Sequence, residues 1–374
     1  MIQSPGLLLT VVAFLALIGP LVFVHEMGHY WAARLFGVKI DAFSIGMGRE
    51  VAGWTDKRGT RWKLAWLPIG GYVRFAGDMN AISQPSAEWL ALPAAERMAT
   101  FQAKPVWQRA IIVAAGPVVN FMAAIVILAG FAMAIGDAQG PAVIGMVESG
   151  SAAQHAGLQV GDRVVALNGR PIAHFAEMSA TVRSLPGRHV QVTFDRDDVR
   201  QTVDALTQAK TVRSADGKTI TYGQLGVGVA GAPLLEAPLI GARQTGQIVS
   251  AMSGALEQIV VGQRSVKELG GPLQIAKVSG EQLALGWTSF AFLIALVSIN
   301  LGFINLLPIP TLDGGHLFFY AIEAVRRRPV EARVQEWAYR GGLAALLALM
   351  LFVTVNDLGS FGLWQRLAGL IGLA

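Results

Sequence analysis

The chain contains no cysteine. That absence excludes a disulfide framework and a thiolate-held metal, so any metal here is bound by nitrogen and oxygen. Charge is scarce too. Only 15% of the 374 residues are charged, against 53% hydrophobic, and the mean hydropathy is +0.48. So few charges argue against an ordinary soluble protein and for a multi-pass membrane protein. Residues 1–24 carry no charged side chain. The stretch lacks the basic leader of a secretory signal and reads as a retained transmembrane helix. Basic blocks are missing as well. The net charge of +5 is spread along the chain, which argues against a nucleic-acid partner. No fixed-period repeat is present, and a transporter built from paired halves is disfavoured.

Against this apolar background stands His25-Glu26-Met27-Gly28-His29, at the end of the first apolar run. Two imidazoles four residues apart on a helix lie about 40° apart around its axis and can face one metal. Glu26 lies about 100° from His25, placed to take a proton from water rather than to bind metal. A carboxylate and two histidines are costly in a bilayer and seldom stand there without function. Zinc hydrolysis needs three protein ligands and one open position. The third ligand is expected at Asp313, in Asn305-Leu-Leu-Pro308-Ile-Pro310-Thr-Leu-Asp313-Gly314-Gly315. Pro308 and Pro310 interrupt the helix and free local backbone to turn the aspartate inward. Asn305 is placed to stabilise an oxyanion or hold substrate backbone. Asn120, in Gly116-Pro117-Val-Val-Asn120, has a similar expected role from the second span; interhelical hydrogen bonding is the alternative. His316 is a closer case than His155, His174 and His189, because it follows Asp313 by three residues.

The apolar runs and charges divide the chain. Residues 1–36 form transmembrane helix 1, 37–105 a β-hairpin region, 106–136 helix 2 and 137–232 a separate soluble α+β domain. Residues 233–283 form an amphipathic helical linker, broken near Gly270-Gly271-Pro272. Residues 284–315 form helix 3, 316–340 a loop, and 341–374 helix 4 and the C-terminus. Lys and Arg concentrate in 31–105 and 316–340, which positive-inside reasoning assigns to the cytoplasm, with 137–281 outside. In the hairpin region, Val38–Ile40, Arg61–Trp66 and Tyr72–Phe75 have strand character, punctuated by Gly46, Gly48, Gly59, Gly70 and Gly71. Two readings stand for it: a cytoplasmic cap, or a hairpin dipping toward the active site where protein buries it. In the soluble domain, strands are expected at 143–147, between the turn at Gly161-Asp162 and Asn168-Gly169, and near 189–195, 199–206 and 219–229. Helices are expected at 151–158 and 174–184, with a hairpin turn at Asn168-Gly169.

His25-Glu26-x-x-His29, Gly116-Pro117-x-x-Asn120 and Asn305–Gly315 together resemble the site-two protease family, and more narrowly the bacterial regulator-of-sigma-E protease group. Gly157-Leu158-x-x-Gly161-Asp162 with Asn168-Gly169 resembles a PDZ domain. The resemblance implies a multi-pass α-helical membrane protein of about four transmembrane helices. It adds a cytoplasmic-side β-hairpin and an inserted periplasmic α+β PDZ domain. It makes His25, His29 and Asp313 the ligands of Zn2+ and Glu26 the catalytic carboxylate, with Asn305 beside it. Gly70, Gly71, Tyr72 and Val73 become a re-entrant strand that pairs with unwound substrate. The expected substrates are single-pass membrane proteins of the anti-sigma-factor kind, and possible remnant signal peptides, cut in the bacterial inner membrane near its cytoplasmic side. The best-known members of that group carry two PDZ domains; one is recognisable here. The alternative is a non-catalytic PDZ-bearing membrane scaffold, which needs no stoichiometric zinc.

Overall fold

The computed structural model describes residues 6–77, 93–213, 219–266 and 270–360. The chain forms two compact units: Val126–Gln244, and the segments Ser4–Ile125 and Thr245–Ala374 together. In chain order the elements before the inserted unit are α1 (Leu7–Leu35), β1 (Ile40–Thr55), β2 (Arg61–Phe75), α2 (Ala94–Met98) and α3 (Val106–Ile135). The inserted unit contributes β3 (Ile144–Val147), α4 (Ala152–His155), β4 (Arg163–Leu167), β5 (Arg170–Pro171) and α5 (Phe175–Arg183). It continues with β6 (His189–Arg196), β7 (Val199–Leu206), β8 (Gln208–Arg213), β9 (Thr219–Gln224) and β10 (Val227–Val229). Then follow α6 (Ala237–Val260), α7 (Pro272–Leu285), α8 (Trp287–Asn305), α9 (Asp313–Arg326) and α10 (Ala332–Ser360).

Among the described residues, four helices are long and apolar enough to cross a membrane: Leu7–Leu35, Val106–Ile135, Trp287–Asn305 and Ala332–Gly359. These make the chain a membrane protein with a β-containing element. The third span ends at Asn305, short of the expected 315. Pro308 and Pro310 cannot continue the hydrogen-bond ladder, and Asp313 instead opens a new helix, α9. The fourth helix starts nine residues before the expected 341. Its first turns are carried by charged residues, including the i,i+4 pair Glu336–Arg340 at 2.5 Å. An extension beyond Ser360 lies outside the described residues.

Helix α1 buries Ala13, Leu17, Leu21, His25 and His29, a stripe at four-residue spacing. Its N-terminal part packs on Phe290 with Ile275, Leu283 and Val297 from α7 and α8. Its C-terminal part, through Met27, Tyr30 and Ala33, joins Phe43 and Phe75 of the β-element, Ile112 and Val113 of α3 and Tyr320 of α9. The imidazoles thus continue a line of core positions, and burial of that line fixes their rotation.

Strands β1 and β2 are antiparallel but each bends, so the pairing is doubled. Ala42–Ile45 lie beside Gly71–Arg74 and also beside Arg61–Leu64, while Ala52–Thr55 pair with Arg61–Leu64 from the other side. Gly46 and Gly48, at φ 86° and 91°, take the bend in β1, and Gly70, at φ 77°, takes the one in β2. In this order of segments Gly71–Phe75 is an outer strand, with a strand on one side only among the described residues.

The inserted unit holds a four-stranded antiparallel sheet in the order β5-β4-β6-β7 and the pairs β3–β10 and β8–β9. Its core gathers Ile144, Leu158, Val164, Leu167, Met178, Val190, Val192 and Phe194. The expected turn is present: Asn168 at φ 49° and Gly169 at φ 75° join β4 to β5 with Leu167 opposite Arg170. Strand β8 was not anticipated, since Gln208–Arg213 is polar and gains its place only by pairing with β9.

Candidate active site

The first turn of α9 is where the site is assembled. Pro308 and Pro310 bring no backbone N–H, so the irregular segment between α8 and α9 carries fewer donors needing partners in apolar surroundings. Its carbonyls fold back onto the helix start. A Cβ on Gly314 would overlap the carbonyls of Leu306 and Leu307, and one on Gly315 the carbonyl of Ile309. Only glycine lets the segment lie so close, and this contact fixes where Asp313 emerges.

Asp313 Oδ2 lies 3.2 Å from His25 Nε2 and 3.6 Å from His29 Nε2, and the two Nε2 atoms are 3.3 Å apart. A tetrahedral zinc with bonds of about 2.0–2.1 Å holds its ligand atoms about 3.3–3.4 Å from one another. The triangle therefore has the size of one face of such a coordination sphere. Asp313 Oδ2 is buried and makes no hydrogen bond of acceptable geometry. A desolvated carboxylate oxygen without a donor is costly, and a cation at the centre of the triangle removes that cost. The donors present, two imidazoles and a carboxylate, suit zinc. Among the described residues this is the one cluster of three such groups able to share an ion.

Both histidines are held from behind by α3. His29 Nδ1 donates to the Ile112 carbonyl at 2.9 Å, and His25 Nδ1 meets the Asn120 amide at 3.1 Å. The helices can approach because of two glycines. A Cβ on Gly28 would overlap the Ala115 carbonyl, and one on Gly116 would overlap the His29 imidazole and stand 3.0 Å from His25 Cε1. The sequence marked Gly116-Pro117-x-x-Asn120 as a motif, but nothing in it revealed that Gly116 makes room for both rings.

A cavity of about 410 Å3 opens on the triangle. Glu26, Asn305, Gly70, Gly71, Tyr72 and Val73 all line it together with His25, His29 and Asp313. The β-element therefore reaches the site rather than capping the protein at a distance. Gly71 is pressed between the Ser44 carbonyl, Val22 and Glu26, where a Cβ would sit 2.8 Å from the first two and 3.1 Å from Glu26 Cγ. Asn120 is the exception: it is fully buried, does not line the cavity, and faces His25 instead. Two further residues line the cavity: His316, which the sequence marked as a closer case, and Thr311, which it did not mark. His316 stands one turn beyond Asp313, with Tyr339 Oη of α10 2.8 Å from its Nδ1. Thr311 carries a buried hydroxyl with no hydrogen-bond partner; its hydroxyl between Pro310 and Asp313 was the available signal.

The model of Peptidase family M50 matches residues 13–349 of the chain. This chain belongs to peptidase family M50. The M50 chain is 38% identical to a protein named as a zinc metalloprotease in Agrobacterium fabrum, over 94% of this chain and 96% of that one. It is 41% identical to another of that name in Mesorhizobium japonicum, over 93% and 98%. It is 34% identical to the metalloprotease MmpA of Caulobacter vibrioides, over 98% and 99%. The M50 protein is thus a zinc metalloprotease in a membrane-helical frame, and the expectation of an enzyme using Zn2+ holds.

Proposed function

We propose that this metalloprotease cuts transmembrane segments of single-pass membrane proteins, with His25, His29 and Asp313 as the zinc ligands and Glu26 as the proton carrier. The observation that carries the assignment is the triangle of donor atoms at 3.2–3.6 Å around an oxygen without a hydrogen bond. When bound, zinc polarises a carbonyl and lowers the pKa of water to about 7. A Glu26 carboxylate oxygen takes the proton from the attacking water and returns it to the leaving nitrogen. The Asn305 amide, on the same cavity wall, donates to the oxygen that gains charge.

A helical substrate must unwind to expose its scissile bond, and each backbone group stripped of its partner in lipid costs several kcal/mol. The outer strand Gly71–Phe75, which among the described residues has a strand on one side only, offers main-chain groups that offset this cost by strand addition. Gly70, Gly71, Tyr72 and Val73 are the substrate-pairing residues in this reading. Substrates of the anti-sigma-factor kind and remnant signal peptides fit it. So does a bacterial inner-membrane location with the site toward the cytoplasm and Val126–Gln244 as a periplasmic PDZ domain. The orientation rests on the Lys and Arg of 31–105 and 316–340.

The test is cleavage of a single-pass substrate by reconstituted parent and Glu26→Gln enzyme, with zinc content measured on both. Turnover falls about 10²–10⁴-fold in the variant while zinc stays at one per chain. Undiminished turnover removes Glu26 from the mechanism. A scaffold, by contrast, would carry no stoichiometric zinc.

A further inference from the structure

The two imidazoles are supported unequally. His29 Nδ1 faces a backbone carbonyl, Ile112 O, at 2.9 Å. A carbonyl only accepts, so Nδ1 carries the proton and Nε2 keeps its lone pair toward Asp313. His25 must present its Nε2 in the same way to reach the same point, and its Nδ1 faces the side-chain amide of Asn120. An amide can offer either a donor or an acceptor. With Nδ2 toward His25, at 3.1 Å, Asn120 Oδ1 is left buried without a hydrogen-bond partner. Turning the amide end for end lets Oδ1 accept from His25 Nδ1–H and frees the Nε2 lone pair toward Asp313, while the NH2 group moves to the place where Oδ1 met no donor.

We propose that Asn120 is a positioning residue that fixes the tautomer and angle of His25 as a metal ligand, through Oδ1 accepting from Nδ1–H. Its reach to substrate is closed, since it is fully buried and off the cavity wall. The residue is itself anchored. Its backbone carbonyl accepts from Ser298 Oγ of α8 at 2.8 Å, a bond between the second and third spans that leaves the side-chain amide to His25. A partner of this kind makes the imidazole more basic and pre-aims it, as carboxylates and carbonyls do behind other zinc-bound histidines. This inference rests on the ligand assignment proposed above.

The experiment titrates zinc into the metal-stripped full-length protein in detergent, against a competing chelator. It also records the visible absorption of the Co2+-substituted protein. Asn120→Leu keeps the volume but offers no acceptor, and it should weaken zinc binding about 10–100-fold and alter the Co2+ spectrum. Asn120→Asp presents an acceptor in either orientation and should bind zinc at least as tightly as the parent. A purely structural role predicts the opposite, because a buried carboxylate would then be a liability. Ser298→Ala removes the neighbouring interhelical bond without touching the amide, and should leave zinc affinity within threefold. Parent-like affinity in Asn120→Leu overturns the proposal, as does a loss in Asn120→Asp, or an equal loss in Ser298→Ala. Should Asn120→Leu not fold, the Asn120→Asp result decides alone. A parent that binds no stoichiometric zinc overturns the ligand assignment itself, and this inference with it.

Discussion

Two regions of the molecule shield aspartates from water, and the acid facing the two imidazoles is treated unlike the others. Asp162, at the start of β4, is 1% exposed and fully served. Arg196 donates to both of its oxygens at 2.7 Å, and the Gln159 backbone N–H adds a third bond at 2.8 Å. Asp357, in α10, is fully buried and likewise served, by the backbone N–H groups of Gly271 and Gln274 at the start of α7. Asp313 has two imidazole nitrogens at hand and still an oxygen without a hydrogen bond. A buried carboxylate with all its donors holds a fold together. One that faces lone pairs instead of donors is unfinished until a cation arrives.

The contrast predicts its largest effect at Asp313. Asp313→Ala should drop zinc from one per chain to background, measured by elemental analysis, and abolish cleavage. The loss should exceed the roughly 10–100-fold expected from removing a supporting hydrogen bond. Stoichiometric zinc in that variant would erase the distinction between the two aspartates. Next in size is Gly116→Ala. The added methyl collides with the His29 ring and crowds His25, in a place where α3 cannot retreat without losing the Gly28 contact. Overpacking of this kind costs about 1–3 kcal/mol. The strain falls on the ligands, so zinc affinity should fall along with thermal stability. A drop in stability with unchanged affinity would mean that the helices part while the rings keep their geometry.

The chemistry of the site was legible because it is carried by residue types too costly to place in lipid without use: His25, Glu26, His29 and Asp313. Their convergence was legible only as an expectation. It depends on Gly314 and Gly315 admitting the backbone of 306–310, and glycine in a sequence does not reveal what approaches it. Four spans were readable from apolar runs, and Pro308 and Pro310 marked the break in the third, but not that the helix stops at Asn305 and that Asp313 opens a new one. Asn120 was singled out as polar and left between a substrate role and an interhelical hydrogen bond; the structure shows the second, to His25. A period of 3.6 gives a face, but only packing tells whether that face meets substrate or a neighbouring imidazole. The doubled pairing in β1 and β2 was hidden for a related reason. Bends at Gly46, Gly48 and Gly70 let one segment pair on both sides, which alternation along a strand cannot record.

In the inserted unit the same logic predicts effects on stability alone. Asp162→Ala strips β4 of the bonds from Arg196 and Gln159 and should cost about 1–3 kcal/mol. That loss is read as faster amide exchange in β4 and β6, with zinc content and the catalytic rate on a small substrate unchanged. Altered zinc content would mean that the two units share an energetic fate that their separate cores do not imply.

The smallest effect is expected at the turn between β4 and β5. Asn168 stands at φ 49°, a left-handed conformation that costs most L residues roughly 1–2 kcal/mol but that asparagine tolerates. Its Oδ1 also accepts from the Gln191 backbone N–H at 2.9 Å, on the exposed side of β6. Asn168→Ala loses both and should destabilise the unit by about 1 kcal/mol, seen as roughly fivefold weaker protection of β4 and β6 amides. Asn168→Gly separates the two contributions, since glycine removes the bond but takes the conformation freely. If glycine restores most of the protection, backbone conformation dominates and the turn is held by φ. If glycine is as poor as alanine, the side-chain bond across to β6 carries the register. In that case the inserted unit, like the metal site, depends on a single amide oriented toward one partner.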